Sequence, residues 1–506
     1  MSNATGAYNA TGAYKALERR FHRLSVLDGV GGILGWDMSV IMPDGGAEAR
    51  GEQLATLSVL SHELLTAPDM ADLLEAAGAE ALEDWPAANL ALMRRQHAHA
   101  TAVPADLVEA RSKASSACEM VWRSARKNSD FAAVLPHLRE VVRLTREMAA
   151  VKAAALGLDP YDALLDQYDP GNRAARIDPV FDDLAAFLPP LLERVLERQA
   201  AEPPLALPEG PFATDSQAAL GRKLMTAAGF DFDRGRLDVS LHPFCGGGPD
   251  DIRITTRYDE GEFTQSLMGV LHETGHALYE LGLPAAPWRH QPIGQARGMT
   301  VHESQSLLVE MQACRSPAFL DFAAPLIREA FGVSGPAYTP EMLRRLYTRV
   351  ERGFIRVDAD EVTYPLHVIL RYRLERAIVS GDLDVADLPG AWNDSMRNLL
   401  GVTPPDDRLG CLQDIHWYDG AIGYFPTYTL GAMMAAQLFA AATQQQPDIL
   451  PGIARGDFAP LVGWLRTNVH AHGSRYSADD LLARATGAPL STTAFKAHLE
   501  WRYLGA

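Results

Sequence analysis

Apolar residues recur at three- and four-residue steps along most of the chain, against a background of Ala, Leu, Glu and Arg. That spacing lays one apolar stripe along a helix, and these residue types lose little on becoming helical. It predicts helices over 131–156, 179–202 and 364–380. Strand-like alternation is scarce. It is confined to 237–241 and 252–258, where β-branched and aromatic residues cluster. The pattern predicts a mainly α body with one small β-sheet.

Three stretches break the helical pattern. Residues 202–215 hold Pro203, Pro204, Pro208 and Pro211 and read as a linker. Residues 282–298 hold Pro284, Pro287 and Pro292, which a continuous helix does not tolerate. Residues 402–423 open with a Pro-Pro pair. Gly246-Gly247-Gly248 reads as a flexible turn rather than a phosphate cradle, because no G-K-[ST] and helix start follow it. At the N-terminus the hexapeptide NATGAY occurs twice, over 3–8 and 9–14, and Ser2-Asn3-Ala4 resembles a vector remnant. Each copy holds an N-x-T acceptor, which matters only in a secreted protein. Residues 1–14 are therefore set aside as a tag-like or disordered tail. The expected organisation is an N-terminal helical lobe over 15–215 and a second helical lobe over 216–506 that bears the chemistry, joined as one continuous domain.

Composition narrows the class of partner. The 506 residues are 47% hydrophobic and 22% charged, enough to bury a large core without staples. The 64 acidic residues outnumber the 46 basic ones, giving a net charge of -18. That disfavours nucleic acid and anionic membrane as partners. Cys118, Cys245, Cys314 and Cys411 are far apart, which argues against a disulfide scaffold or a zinc ribbon and for reduced thiols in a cytoplasmic chain. No apolar run is long enough to cross a bilayer; the most apolar stretch, 430–442, contains Gln437. The N-terminus lacks the pattern of a signal peptide.

The sharpest chemical signal is His272-Glu273-Thr274-Gly275-His276, within SLMGVLHETGHALYELG. On a helix, residues four apart share a face, so both imidazoles point at one place. That suits a tetrahedral metal, with Glu273 one step round and within reach of a water. Gly275 weakens the helix by about 1 kcal/mol, and a residue that small permits close approach of another element. A catalytic zinc usually has a third protein ligand. Glu303, on a helical pattern after Gly298, is the leading candidate by spacing, with Glu280, Glu310 and His302 as competitors. Glu280, one turn beyond His276, better suits a role orienting an imidazole. Leu307 stands where a thermolysin-type site has an Asp, and no third His follows at metzincin spacing.

Further runs carry a resemblance. They are His242-Pro243-Phe244; Asp251-Ile252-Arg253-Ile254-Thr255; His302-Glu303-Ser304-Gln305; Ile355-Arg356-Val357-Asp358-Ala359-Asp360; and Gly410 to Trp417, GCLQDIHW. With HETGH, in this order, they resemble the thermostable carboxypeptidase, or carboxypeptidase Taq, family. The stretches from Leu34 and from Pro160 do too, so the similarity spans the chain after about residue 15. The resemblance implies a two-lobed helical body with a deep central groove, similar to neurolysin and angiotensin-converting enzyme. It implies a cytoplasmic metallocarboxypeptidase, usually a homodimer, that acts on peptides with a free C-terminus. It implies Zn2+, with Co2+ as a possible substitute, held by His272, His276 and Glu303, and Glu273 as general base.

The chemistry assigns the remaining roles. A neutral donor should stabilise the oxyanion; His416 and Tyr424 are the candidates, because the similar converting-enzyme-like folds use a His and a downstream Tyr, with Tyr428 a rival. A guanidinium suits a C-terminal carboxylate, and Arg356 lies in a run where Asp358 or Asp360 would hold its fork. Asp251, Arg253 and Thr255 alternate along a predicted strand and share one face; the resemblance implies that this face helps to close one end of the groove. His242 would contact substrate or hold its loop. Two rivals remain open: an oligoendopeptidase or dipeptidase on the same fold, and a metal-stabilised peptide-binding protein without turnover.

Overall fold

The computed structural model describes residues 12–505. Most of the N-terminal repeat lies outside them, but the first helix, Ala13–Val40, begins within its second copy and buries Tyr14. Helix follows helix along nearly the whole of this span, interrupted once by a three-stranded sheet. The chain is thus mainly α, as the periodicity predicts. Phe131–Leu156 and Tyr364–Ser380 are continuous helices. Asp130 caps the first of these by accepting from Ala133 N at 3.0 Å. Gly157 ends it at φ +67°, a left-handed conformation that suits glycine.

The helix expected over 179–202 runs instead from Ala174 to Ala201, with Pro179, Pro189 and Pro190 inside it. It can begin before Pro179 because the Asp162 carboxylate, from another element, accepts from Ala174 N at 2.7 Å and satisfies the first turn.

The sheet has the order β1-β3-β2, with β1 at Gly235–Val239, β2 at Cys245–Gly248 and β3 at Asp251–Thr256. β1 pairs parallel with β3, and β2 pairs antiparallel. β1 and β3 thus lie one or two residues earlier than the strands predicted over 237–241 and 252–258. The triple glycine is not a flexible turn: it is the edge strand β2. Gly247 has φ +88°, and a Cβ there would stand 1.9 Å from the Asp251 carbonyl oxygen, so glycine lets this edge fold back tightly on β3.

Two large apolar cores lie side by side. One joins helices of the first half, such as Phe131–Leu156 and Ala174–Ala201, to the later helices Tyr364–Ser380 and Thr492–Leu504. It therefore draws on both sides of residue 215. The other surrounds the helix Thr264–Gly282 and lies almost wholly beyond that residue. The three irregular stretches, at 202–213, 284–298 and 401–425, hold only turns and a short 3-10 segment. Among the described residues no helix is long and apolar enough to cross a membrane.

Candidate active site

His272, Glu273 and His276 lie on the helix Thr264–Gly282, and Glu303 lies on the neighbouring helix Met299–Leu307. Two glycines allow the second helix to nestle in place. A Cβ on Gly275 would stand 2.5 Å from the Gln305 carbonyl oxygen and 2.6 Å from Ser306 Cα. On the far side, a Cβ on Gly431 would stand 2.8 Å from Glu303 Cβ. The small residue inside the motif is thus a packing requirement.

The helices bring three donors together. Glu303 Oε2 lies 3.6 Å from His276 Nε2 and 4.0 Å from His272 Nε2, and one ligand atom from each residue lies within 4.8 Å of the others. Two imidazole nitrogens and a carboxylate oxygen at this spacing fit a tetrahedral cation such as zinc, whose ligands sit roughly 3.3 Å apart. The outer nitrogens are already engaged. His272 Nδ1 is 2.9 Å from Glu310 Oε2, and Arg315 donates to the other oxygen of Glu310 at 2.5 Å. His276 Nδ1 is 2.6 Å from His302 Nδ1, and His302 Nε2 is 2.9 Å from Glu280 Oε1. Each imidazole therefore turns Nε2 towards Glu303. Of the three competitors for the third position, Glu310 contacts His272, His302 contacts His276, and Glu280 contacts His302. Glu310 reaches His272 from a π-helical stretch, Leu308–Cys314, that periodicity does not predict.

These groups line a cavity of about 620 Å3. Glu273 is 8% exposed on its wall. Burial pushes its carboxyl up to about 7, with the charge of His272 opposing and that of Glu303 adding. Opposite stand Tyr424 and Tyr428, whose rings are 5.2 Å apart. Burial holds both phenols neutral at physiological pH. His416 lies behind them, its ring 5.8 Å from that of Tyr424 and its Nε2 3.5 Å from the Tyr428 hydroxyl. Burial, aided by Arg356 and Arg371 against Asp414, lowers His416 to about 4, so it is neutral.

Arg356 also faces the cavity. Its fork is held by residues other than those expected from the sequence. Nε and Nη2 donate to Asp414 Oδ1 at 3.2 and 2.8 Å, and Nη1 donates to the Tyr364 hydroxyl at 2.8 Å. Asp360 instead accepts from Val362 N and Thr363 N, at the start of the helix Tyr364–Ser380, and Asp358 is exposed. Asp414 is shared with Arg371, whose Nε donates to Oδ2 at 2.6 Å. Burial favours a neutral Asp414, but Arg371 and Arg356 outweigh it and hold the carboxyl well below its usual range. Two buried guanidiniums thus share one carboxylate, and the cluster retains one positive charge.

Asp251, Arg253, Thr255 and His242 are not on the cavity wall. Asp251 and Arg253 pair with each other, and Arg253 lies 4.2 Å over the Trp36 ring. Thr255 is fully buried, and its hydroxyl accepts from Phe244 N at 3.0 Å. His242 is exposed. The sheet meets the cavity through Phe244 and Cys245.

An H-E-x-x-H helix with a third carboxylate on the helix packed beside it, in a mainly helical body, defines a metal-dependent peptidase. The particular family follows from comparison with known proteins: the model of the carboxypeptidase Taq (M32) metallopeptidases matches residues 16–503, and the chain belongs to that family. Thermostable carboxypeptidase 1 of Thermus thermophilus is 40% identical over 503 residues, covering 97% of this chain and 98% of that one. Carboxypeptidase 1 of Bacillus subtilis is 33% identical, covering 93% and 94%. Among solved structures, Trypanosoma cruzi metallocarboxypeptidase 1 superposes with a TM-score of 0.95 at 42% identity, covering 97% of this chain and 99% of that one. A Pyrococcus furiosus carboxypeptidase superposes at 0.92 and 35%, covering 98% and 100%. The protein is a peptide hydrolase of the metallocarboxypeptidase type.

Proposed function

We propose that the protein removes single C-terminal residues from peptides, with His272, His276 and Glu303 holding Zn2+ and Glu273 acting as general base. Zinc held there would supply Lewis acidity, polarising the scissile carbonyl and acidifying water; Co2+ could serve in its place. Glu273 takes a proton from the attacking water and delivers it to the leaving amine, a task that suits its carboxyl poised near 7. Tyr424 offers a neutral O–H to the developing oxyanion, and Tyr428 and His416 keep that donor in place. Thr255 acts on substrate indirectly, by holding Phe244 at the cavity; Asp251 and Arg253 pair with each other on β3, and His242 is exposed.

The observation that carries the exopeptidase reading is the unbalanced charge beside the cavity. Arg356 and Arg371 share Asp414, and Arg356 has spare N–H groups. A substrate's terminal carboxylate would neutralise the cluster. An endopeptidase has no anion to place there. Four free cysteines support a reducing, cytoplasmic setting. Exposed Val26, Val30, Ile33, Val59 and Leu60 on the first helices support a homodimer.

The test compares one short peptide acid with its C-terminal amide, using zinc-loaded and chelated enzyme, with products identified by mass. Single residues should leave the acid only, and only with metal. Internal cuts in both peptides would replace this reading with an oligoendopeptidase. An absence of turnover with either metal would favour a binding protein.

A further inference from the structure

A second cavity, of about 630 Å3, is as large as the catalytic one and shares no lining residue with it. It lies between the end of the helix Ala174–Ala201, the proline-rich connector after it, the end of the helix Pro340–Tyr347 with the turn that follows, and Arg502 and Tyr503. The catalytic reading makes no use of it.

Its charge stands out in a chain with a net charge of -18. Six arginines line it, at 198, 344, 345, 349, 352 and 502, against two carboxylates, Glu202 and Glu351. Two more carboxylates reach in from outside its lining: Glu193 pairs with Arg352, and Glu361 with Arg502. Among the described residues, six positive charges thus face four negative ones. Arg344 is half-buried and has neither an ion pair nor a side-chain hydrogen bond among the described residues. Arg198 reaches Glu202 only at 4.0 Å. Val195, Leu196, Leu205 and Val350 contribute apolar wall. An apolar wall lowers the local dielectric and strengthens the pull of uncompensated guanidiniums on an anion.

We propose that this cavity binds a small organic anion with at least two negative charges on an apolar or aromatic body. The charged groups pair with Arg344 and Arg198 through forked hydrogen bonds, and the body lies against Leu205 and Val350. Lysines would not provide the same fit, because an ammonium is a point charge.

The probe is naphthalene-1,5-disulfonate, which has the required charge and does not chelate the catalytic metal. It is titrated calorimetrically into the zinc-loaded protein, with and without a competing peptide substrate. The expected result is one saturable site per chain, unaffected by the peptide and weakened by added NaCl. Arg344→Ala with Arg198→Ala should weaken binding at least tenfold. Thermal unfolding checks that this variant is folded, and a single Arg344→Gln protein, with a milder loss, serves as the second variant. Absence of saturable binding, displacement by the peptide, or unchanged affinity in both variants would overturn the proposal.

Discussion

His272 Nδ1 stands 2.9 Å from Glu310 Oε2, across 38 residues of sequence. The contact fixes which nitrogen of the His272 imidazole is free to face Glu303. Glu310→Gln keeps the shape and removes the charge. Metal affinity should fall about 10- to 100-fold, read by competition with a chromogenic chelator. An unchanged affinity would show that Glu310 does not tune the site.

Gly431 leaves no room for a methyl group beside Glu303, whose Cβ would lie 2.8 Å from it. Gly431→Ala should cost about 1–3 kcal/mol of stability through overpacking. It should also weaken metal binding by displacing the Glu303 helix. Chemical denaturation and metal titration of the same protein check both effects.

Arg356→Lys retains a positive charge and loses the fork. If Arg356 holds the terminal carboxylate, kcat/KM for a peptide acid should fall by the roughly 2–5 kcal/mol typical of a broken buried charge pair. The preference for acid over amide should shrink with it. A purely structural arginine would lower stability and leave that preference intact.

Two buried histidines should each lower the stability of the metal-free protein as pH falls. Burial, the largest effect, lowers His367 and His470 to about 3. In the unfolded chain both bind protons below about 6.5. The unfolded state therefore takes up more protons between pH 6.5 and 3, and stability falls as pH drops through that window. Each group contributes a slope of about 1.4 kcal/mol per pH unit. Glu273 and Glu375, raised to about 7, contribute the opposite slope, so the share is read as a difference: between pH 7 and 5 the denaturant midpoint of His470→Gln apoprotein should fall less steeply than that of the unaltered apoprotein.

The local parts of the site were readable from sequence because they depend on local geometry. His272 and His276 sit one helical turn apart, so their common face follows from periodicity alone. Glu303 follows only if its helix folds back, and Gly275 signals the close approach that permits this. The outer partners were not readable. Glu310 reaches His272 from a π-helical stretch, and Asp414 reaches Arg356 across 58 residues, so only tertiary packing pairs them. Adjacent acids such as Asp358 attracted the expectation because sequence shows neighbours along the chain, not in space. β2 has no signature in the sequence because glycines carry no strand preference, and its pairing is supplied by β3. The helix holding Pro179 began early because a distant carboxylate, Asp162, caps it.

The most direct test of the central claim is the Glu273→Gln protein, with bound metal and turnover measured on the same sample. Glu273 stands beside the donor triad without being one of the three. The variant and the unaltered protein should each bind one metal per chain, and the variant should lose about 100- to 10,000-fold in kcat on a peptide acid. Substantial turnover with metal in place would contradict the role of Glu273 as base, and loss of the metal itself would contradict the donor set of His272, His276 and Glu303.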